Sequence, residues 1–406
     1  MGLSYSVFGM YGGIVAVSVP QLLAARHIPE STIASMSAVI MSPGFWTFLF
    51  SPVLDVRFTR RWYSVTTAVT ASVLLVLALL NLQHLLWFET LLMAGFFCAN
   101  LYQSALGGWL SSIVRTEDEG RLSVWMNIGT IGAGGAMAMA TGELVRVLSA
   151  GAAACVLGAL VLLPIGVFPW MRAPASAISA ARGSLARLLQ DLVQLLKQRA
   201  VWVALLLFIA PAATFSLTNF LSGVASDFHT STRFVGLIGG GGVLLAGVFG
   251  CLAFPLIDRL LPLRHLYLSI GAVGSLFTLG LILLPHSPPT FALALIGQNV
   301  FQALAFTTST AIMLDTIGRN NPLSATAYCL MISSYNVPIS YMLLVDGAGY
   351  GRVGITGSLL ADGALGLIAC ALLVVCVWLS ERRRAAPESP PKRAGIPLDG
   401  GNAPVT

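Results

Sequence analysis

Two short loops carry the residues whose types and spacing could do chemistry. Ser51-Pro52-Val53-Leu54-Asp55-Val56-Arg57 closes an apolar run and leads into Arg60 and Arg61. Pro255-Leu256-Ile257-Asp258-Arg259 closes another and leads to Arg264. Pro52, Asp55 and Arg61 recur as Pro255, Asp258 and Arg264, each 203 positions further on. A carboxylate at a helix end and a guanidinium in the following loop form a charge-assisted pair that can break and re-form. The expected chemistry is reversible gating on the cytoplasmic side, with Asp55, Arg60, Arg61, Asp258, Arg259 and Arg264 as the gate residues. The plainer alternative is that the basic loops only fix topology and the aspartates cap helix ends.

A second group is uncharged and lies deep in apolar stretches: Gln21, Asn100, Gln103, Asn127, Asn219, Gln298, Asn299, Gln302, Tyr328 and Asn336. An amide in hydrocarbon must find a partner, so it faces another helix or a wet cavity. Asn100 and Gln103 share a helix face, as do Asn299 and Gln302, and the second pair echoes the first 199 positions on. Facing pairs are expected to line a central cavity suited to a polar, hydroxyl-rich or peptidic solute. Interhelical bonding is the alternative for each amide taken singly. Two acids, Glu143 and Asp362, fall inside apolar spans, and an ionisable group there is by default a functional candidate. Both are expected as proton-coupling candidates, with a structural pair to Arg146 as the alternative for Glu143. None of the five histidines lies deep in a span, which leaves no histidine relay.

The elements that must position these residues are transmembrane helices. Apolar residues make up 56% of the chain and charged residues 9%, against roughly a quarter charged in an ordinary soluble domain. A membrane-spanning helix needs about 20 apolar residues. Spans are expected at 4–25, 33–55, 63–83, 87–113, 122–148, 150–171, 200–224, 234–257, 266–285, 289–314, 323–346 and 355–380. Of the 22 Lys and Arg residues, only Arg26, Arg146, Arg233 and Arg352 fall outside when both termini are placed in the cytoplasm. That asymmetry is the positive-inside pattern and supports an even number of spans. The net charge of +6 then reports membrane orientation; a nucleic-acid partner would need a clustered basic face, and none is seen.

The fold class expected is all-α integral membrane, with twelve transmembrane helices in two pseudo-symmetric six-helix bundles. The division is 1–172 for the first half, 173–199 for a cytoplasmic linker, 200–381 for the second half and 382–406 for a disordered tail. Leu185, Leu188, Leu189, Leu192, Leu195 and Leu196 form an apolar stripe in the linker, as in an interfacial helix. The tail is rich in Pro, Gly and charge, and its basic residues suit contact with anionic lipid. Leu122-Ser123 and Leu323-Ser324 open spans five and eleven, and Ser31-Thr32 and Ser231-Thr232 precede spans two and eight, so the repeat is long. Doubled membrane units of this kind mark secondary transporters, which rock about a midplane site. Gly129, Gly132, Gly134 and Gly135 in helix five, with Gly239 to Gly242, Gly247 and Gly250 in helix eight, permit close crossing and sliding. Pro338 is expected to break helix eleven near mid-depth. All six cysteines lie in spans and read as packing residues, with no disulfide framework, metal spacing or cofactor expected. The first span lacks the basic flank of a cleavable signal. The chain begins almost inside that span, so a start upstream of Met1 is expected.

With these residues in place the chain resembles the major facilitator superfamily. Ser51 and Val56 depart from that family's loop pattern, where a glycine and a basic residue are usual. Phe50-Ser51-Pro52 with Asp55 and the basic run after it resembles the peptide/acetyl-coenzyme A transporter branch, which includes AmpG-like muropeptide permeases. The acidic loop Thr116-Glu117-Asp118-Glu119-Gly120-Arg121 is similar to a loop of the same branch. The resemblance implies proton-driven uptake of a bulky polar solute such as an anhydro-muropeptide across a bacterial cytoplasmic membrane by a monomer. A siderophore or another small molecule, taken up or exported, is the alternative. Solute, protons and bilayer lipid are the partners implied. An integral-membrane enzyme or a sensor is the rival class. The chain has no H-E-x-x-H, no G-x-S-x-G and no output domain, so no enzyme activity is expected.

Overall fold

The computed structural model describes residues 1–56, 58–171, 190, 193–318 and 321–385, and all regular structure among them is helical. Twelve helical passes follow in order: α1 (Ser6–Ala24), α2 (Glu30–Met41, continued in short pieces to Asp55), α3 (Arg60–Leu80), α4 (Leu85–Ile113), α5 (Glu119–Val147) and α6 (Ala150–Trp170), then α7 (Arg199–Ile209, resuming at Leu217–Phe220 and Leu221–Phe228), α8 (Arg233–Ile257), α9 (Leu263–Leu281), α10 (Pro288–Ile317), α11 (Ser324–Val353) and α12 (Ile355–Ala385). Eight of these are continuous helices long and apolar enough to cross a bilayer.

Local chemistry sets many of the ends. Thr59, Ser149 and Ser231 each accept a hydrogen bond from the backbone N–H three residues on, capping α3, α6 and α8. Gly318 and Gly354, both at φ 66°, close α10 and α11 in a backbone region that favours glycine. Large apolar side chains remain uncovered around the bundle, among them Leu86, Trp170 and Leu283 at 76%, 83% and 88% exposure. A surface of that kind needs lipid around it. The protein is a multi-pass membrane protein.

The helix break does not fall where the sequence places it. α11 runs unbroken through Pro338, because α-helical passes tolerate proline where neighbours re-satisfy the freed backbone group. The interruption falls in α7 between Ile209 and Leu217, where Pro211 removes a donor and Phe215 adopts φ 49°. α2 also fragments, at Pro43 and again at Pro52. Two further irregularities are single π turns, at Ile14–Ser18 in α1 and Ile238–Gly242 in α8. Most of the expected linker at 173–199 and tail at 382–406 lies outside the described residues, although α12 continues to Ala385.

The first six helices pack on the last six where α4 and α2 meet α11 and where α5 meets α8 and α10. Side chains at Gly107 and Gly108 would collide with α11: a Cβ would stand 2.6 Å from the Tyr328 ring and 2.5 Å from the Ala325 nitrogen. Within the first six, α1 crosses α5 backbone to backbone, and a Cβ at Gly9 or Gly13 would overlap the carbonyl of Thr130 or Gly134.

Candidate functional site

Asp55 sits at the end of α2 with its side chain sealed from solvent. It accepts hydrogen bonds from Arg60 (2.9 Å) and, from the first turn of α11, the Ala325 N–H (3.3 Å), the Thr326 N–H (2.8 Å) and the Thr326 hydroxyl (2.7 Å). Arg60 also donates to the Pro322 carbonyl at 2.9 Å, and Ser324 donates to the Gly108 carbonyl at 2.8 Å. A helix N-terminus presents free N–H groups and partial positive charge, so a carboxylate there is doubly favoured. This one carboxylate ties the first six helices to the last six. Arg61 is half-buried and forms no ion pair with Asp55.

The second copy is placed equivalently but bonded differently. Asp258 lies beside Gly120 at the start of α5, where a Cβ on that glycine would stand 3.4 Å from its Oδ2, and its Oδ1 is buried without a partner. Arg259 is exposed and Arg264 half-buried. The end of the bundle that carries both loops is called here the Asp55 face.

Deeper in, the Tyr5 and Tyr328 hydroxyls meet at 2.5 Å, again joining the two sets of helices. Tyr102 donates to the Ser4 carbonyl. Tyr328, expected in a cavity, is 1% exposed and belongs to this plug.

The amides divide by what they touch. Asn100 and Asn299 each donate to the carbonyl four residues back on their own helix, at 2.8 Å in both cases. Gln103 is buried with its Oε1 unpartnered. Asn127 donates across to the Thr310 hydroxyl at 3.0 Å, Gln298 to the Thr278 hydroxyl at 2.5 Å, and Asn336 to the Gly44 carbonyl at 3.4 Å. Gln302 donates to the Thr218 hydroxyl at 2.9 Å and to the Phe215 carbonyl at 3.4 Å, so it braces the α7 break. Only Gln21 and Asn219 are exposed.

Gln21 lines a cavity of about 580 Å³ between α1, α5 and α8. Its walls include Phe8, Met41, Phe96, Thr130 and Leu244, with glycines at 12, 13, 134, 135, 239 and 240. Among the described residues that line it, Gln21 and Thr130 are the only ones with polar side chains. The cavity reaches Gly142 near the far end of α5, so it extends away from the Asp55 face. Both π turns wall it, through Ala16 and Val17 on one side and Gly239 and Gly240 on the other. A larger groove of about 1060 Å³, lined by Met1, Arg115, Arg121 and Trp125, lies near the Asp55 face and holds none of the amides.

The acids separate. Glu143 pairs with Arg146 at 2.7 Å, and the two side chains are 70% and 73% exposed. Asp362 is 7% exposed, and it shares the Ser216 hydroxyl with Asp346, which is fully buried. Sequence reasoning passed over Asp346 and Ser216. One signal was available: Asp346 and Asp362 each lie eight positions from Gly354, the turn between α11 and α12, and adjacent antiparallel helices place such residues at equal depth.

Twelve helical passes gathered as two sets of six, tied together at the Asp55 face and with a cavity extending away from it, define a carrier fold. The sequence profile of the Major Facilitator Superfamily matches residues 203–405. The chain belongs to that superfamily, a family of transporters and not of enzymes. The fold is similar to that of the proton:xylose symporter XylE bound to 6-bromo-6-deoxy-D-glucose, at TM-score 0.69 and 12% identity over 93% of this chain and 95% of that one. It is similar too to FucP in the outward conformation, at TM-score 0.64 and 15% identity over 91% and 97%. A bacterial homologue of the iron transporter ferroportin, outward-facing with soaked iron, aligns at TM-score 0.59 and 15% identity over 92% and 98%. No curated protein matches significantly.

Proposed function

We propose that the chain is a secondary carrier that imports a solute together with protons by alternating access, with its Asp55 face in the cytoplasm. The observation that carries this reading is the clamp at that face. A sealed carboxylate and a guanidinium from one set of helices grip the end of α11 from the other, while the cavity extends from the opposite side. That is the arrangement of a carrier closed inward and open outward. Proton coupling is supported by Asp362, a carboxyl buried within a span. The names of two similar folds, the proton:xylose symporter and the E. coli fucose:proton symporter, agree with it. In this reading Asp55 and Arg60 close the gate, Asp258, Arg259, Arg264 and Arg61 flank it, and Gln21 with Asn219 offers polar contacts to solute.

The bulky polar solute, an anhydro-muropeptide, is supported by the Phe50-Ser51-Pro52 and Thr116–Arg121 loop motifs. A specific observation favours a second reading: among the described residues lining the cavity only Gln21 and Thr130 have polar side chains, which suits a solute with an extended apolar face. Uptake of labelled anhydro-muropeptide into proteoliposomes, with and without an inward proton gradient, tests the first reading. Accumulation abolished by a protonophore supports it. If an amphipathic siderophore is taken up instead under the same gradient, the second reading replaces it. If no solute in either class is taken up by folded protein, the import reading fails.

A further inference from the structure

Ser216 lies at the end of the break in α7 and stands between two carboxyls. Its Oγ is 2.6 Å from Asp346 Oδ2 on α11 and 3.0 Å from Asp362 Oδ1 on α12. The three side chains are 0%, 0% and 7% exposed. A serine hydroxyl has one hydrogen to give, so it can donate to only one of the two oxygens. The other short oxygen–oxygen contact must take its hydrogen from a carboxyl. With both carboxylates ionised, the cluster would have one hydrogen too few for its two short contacts. A second opening lies beside it, because Asp346 Oδ1 is fully buried and unpartnered, and a buried polar atom left so carries a cost.

No cation answers these acids. Among the described residues neither forms an ion pair with Lys, Arg or His. α7 carries no charged residue between Arg199 and Asp227, and Asp227 accepts from Tyr350. On α11, Tyr341 donates to the Ile209 carbonyl and Arg352 is exposed at the helix end. On α12 the thiol of Cys370 is turned to the Ala212 carbonyl, and Cys376 is exposed. α9 holds Arg264, His265 and Tyr267 in its opening turns, and α10 holds Asp315 in its last turn, all toward the other face. Two carboxylates this close and this dry cannot both stay charged without a partner.

We propose that Asp346, Ser216 and Asp362 form a single site that holds one exchangeable proton. This rests on the reading of the chain as a proton-coupled carrier and supplies the place where that proton is bound. Because Ser216 belongs to the α7 break, which Gln302 braces through Thr218 and Phe215, loss of the proton sets two like charges against one hydroxyl at that joint. The site is thereby tied to the part of α7 that carries the exposed Asn219.

The test needs no solute, so its outcome is independent of the uptake assay. Purified protein in nanodiscs is titrated with pH, and the carboxylic-acid carbonyl stretch is followed by infrared difference spectroscopy in light and heavy water. Wild type is expected to show, besides the bands of the exposed acids, one band of a buried carboxyl that titrates separately, lost in Asp346→Asn and in Asp362→Asn and shifted in Ser216→Ala, with circular dichroism unchanged. A buried-carboxyl band that survives in both Asn variants overturns the site. A band that sodium chloride abolishes at constant pH, while potassium chloride does not, also overturns it in favour of a sodium site.

Discussion

Asp55→Asn should open the Asp55 face. Two classes of contact must be separated. The pair with Arg60 lies within the first six helices and would survive a separation of the two sets. The contacts to Ala325 and Thr326, and that of Arg60 to the Pro322 carbonyl, cross to α11 or the loop before it and would be lost if the two sets separated there. A hydrogen bond to a charged group contributes about 1.5–3 kcal/mol net. Losing the two bonds that Thr326 makes to Asp55 Oδ2 takes at least about 3 kcal/mol from the clamp, roughly a hundredfold in the conformer ratio. The neutral amide of the variant cannot balance the charge of Arg60, which is 4% exposed and would be left buried and unpaired. The assay is a distance measurement between spin labels at Arg115→Cys and Leu260→Cys, both exposed positions near that face, with the six native cysteines replaced. The expected result is a new, longer distance that becomes a major population. An unchanged distance distribution alongside a lowered thermal midpoint would refute the reasoning and leave Asp55 with a purely structural role.

Three further outcomes are expected. Gly108→Val should drive α4 and α11 apart, since even a Cβ there stands 2.5 Å from the Ala325 nitrogen; the same labels should report opening with Asp55 intact, and an unchanged distance counts against the close-approach argument. Tyr5→Phe and Tyr328→Phe should each cost about 1–3 kcal/mol by leaving a buried hydroxyl without its partner, while the double variant costs less than their sum; additive thermal unfolding would disprove the coupling. Glu143→Gln should change stability by under about 0.5 kcal/mol, as for an exposed pair, and leave the buried-carboxyl infrared band intact; loss of that band would return Glu143 to the proton site.

The spans were legible because apolar length is a local property, and the Asp55 loop stood out because it recurs. What the loop touches was not legible. Two of the partners that Asp55 finds on α11 are backbone N–H groups, and backbone groups leave no trace in composition. The difference between Asp55 and Asp258 was hidden for the same reason: the motif repeats, but the conformer engages one copy. The amides show the limit of depth as a guide. Asn100 and Asn299 sit in apolar runs and turn back on their own helices, whereas Gln21 and Asn219 are exposed, and only the rotation of each helix in the bundle decides which. Pro338 misled because proline breaks a helix only where no neighbour compensates, and Pro211 with the left-handed Phe215 marks where that fails. Asp346 was placed at a span's edge, although its equal separation with Asp362 from Gly354 fixes their common depth.

The two π turns that wall the cavity have a geometric consequence of their own. A π turn holds one residue more than the α turn it replaces. A return to α winding at Ile14–Ser18 or at Ile238–Gly242 therefore advances everything beyond it by one residue, a rotation of about 100° and a translation of about 1.5 Å. Beyond the first lies Gln21, and beyond the second lie Val243 and Leu244. A slip of register at either wall would exchange one set of side chains facing the cavity for its neighbours in a single discrete step, so such slips would give the hollow a small number of alternative linings and not a continuum of widths.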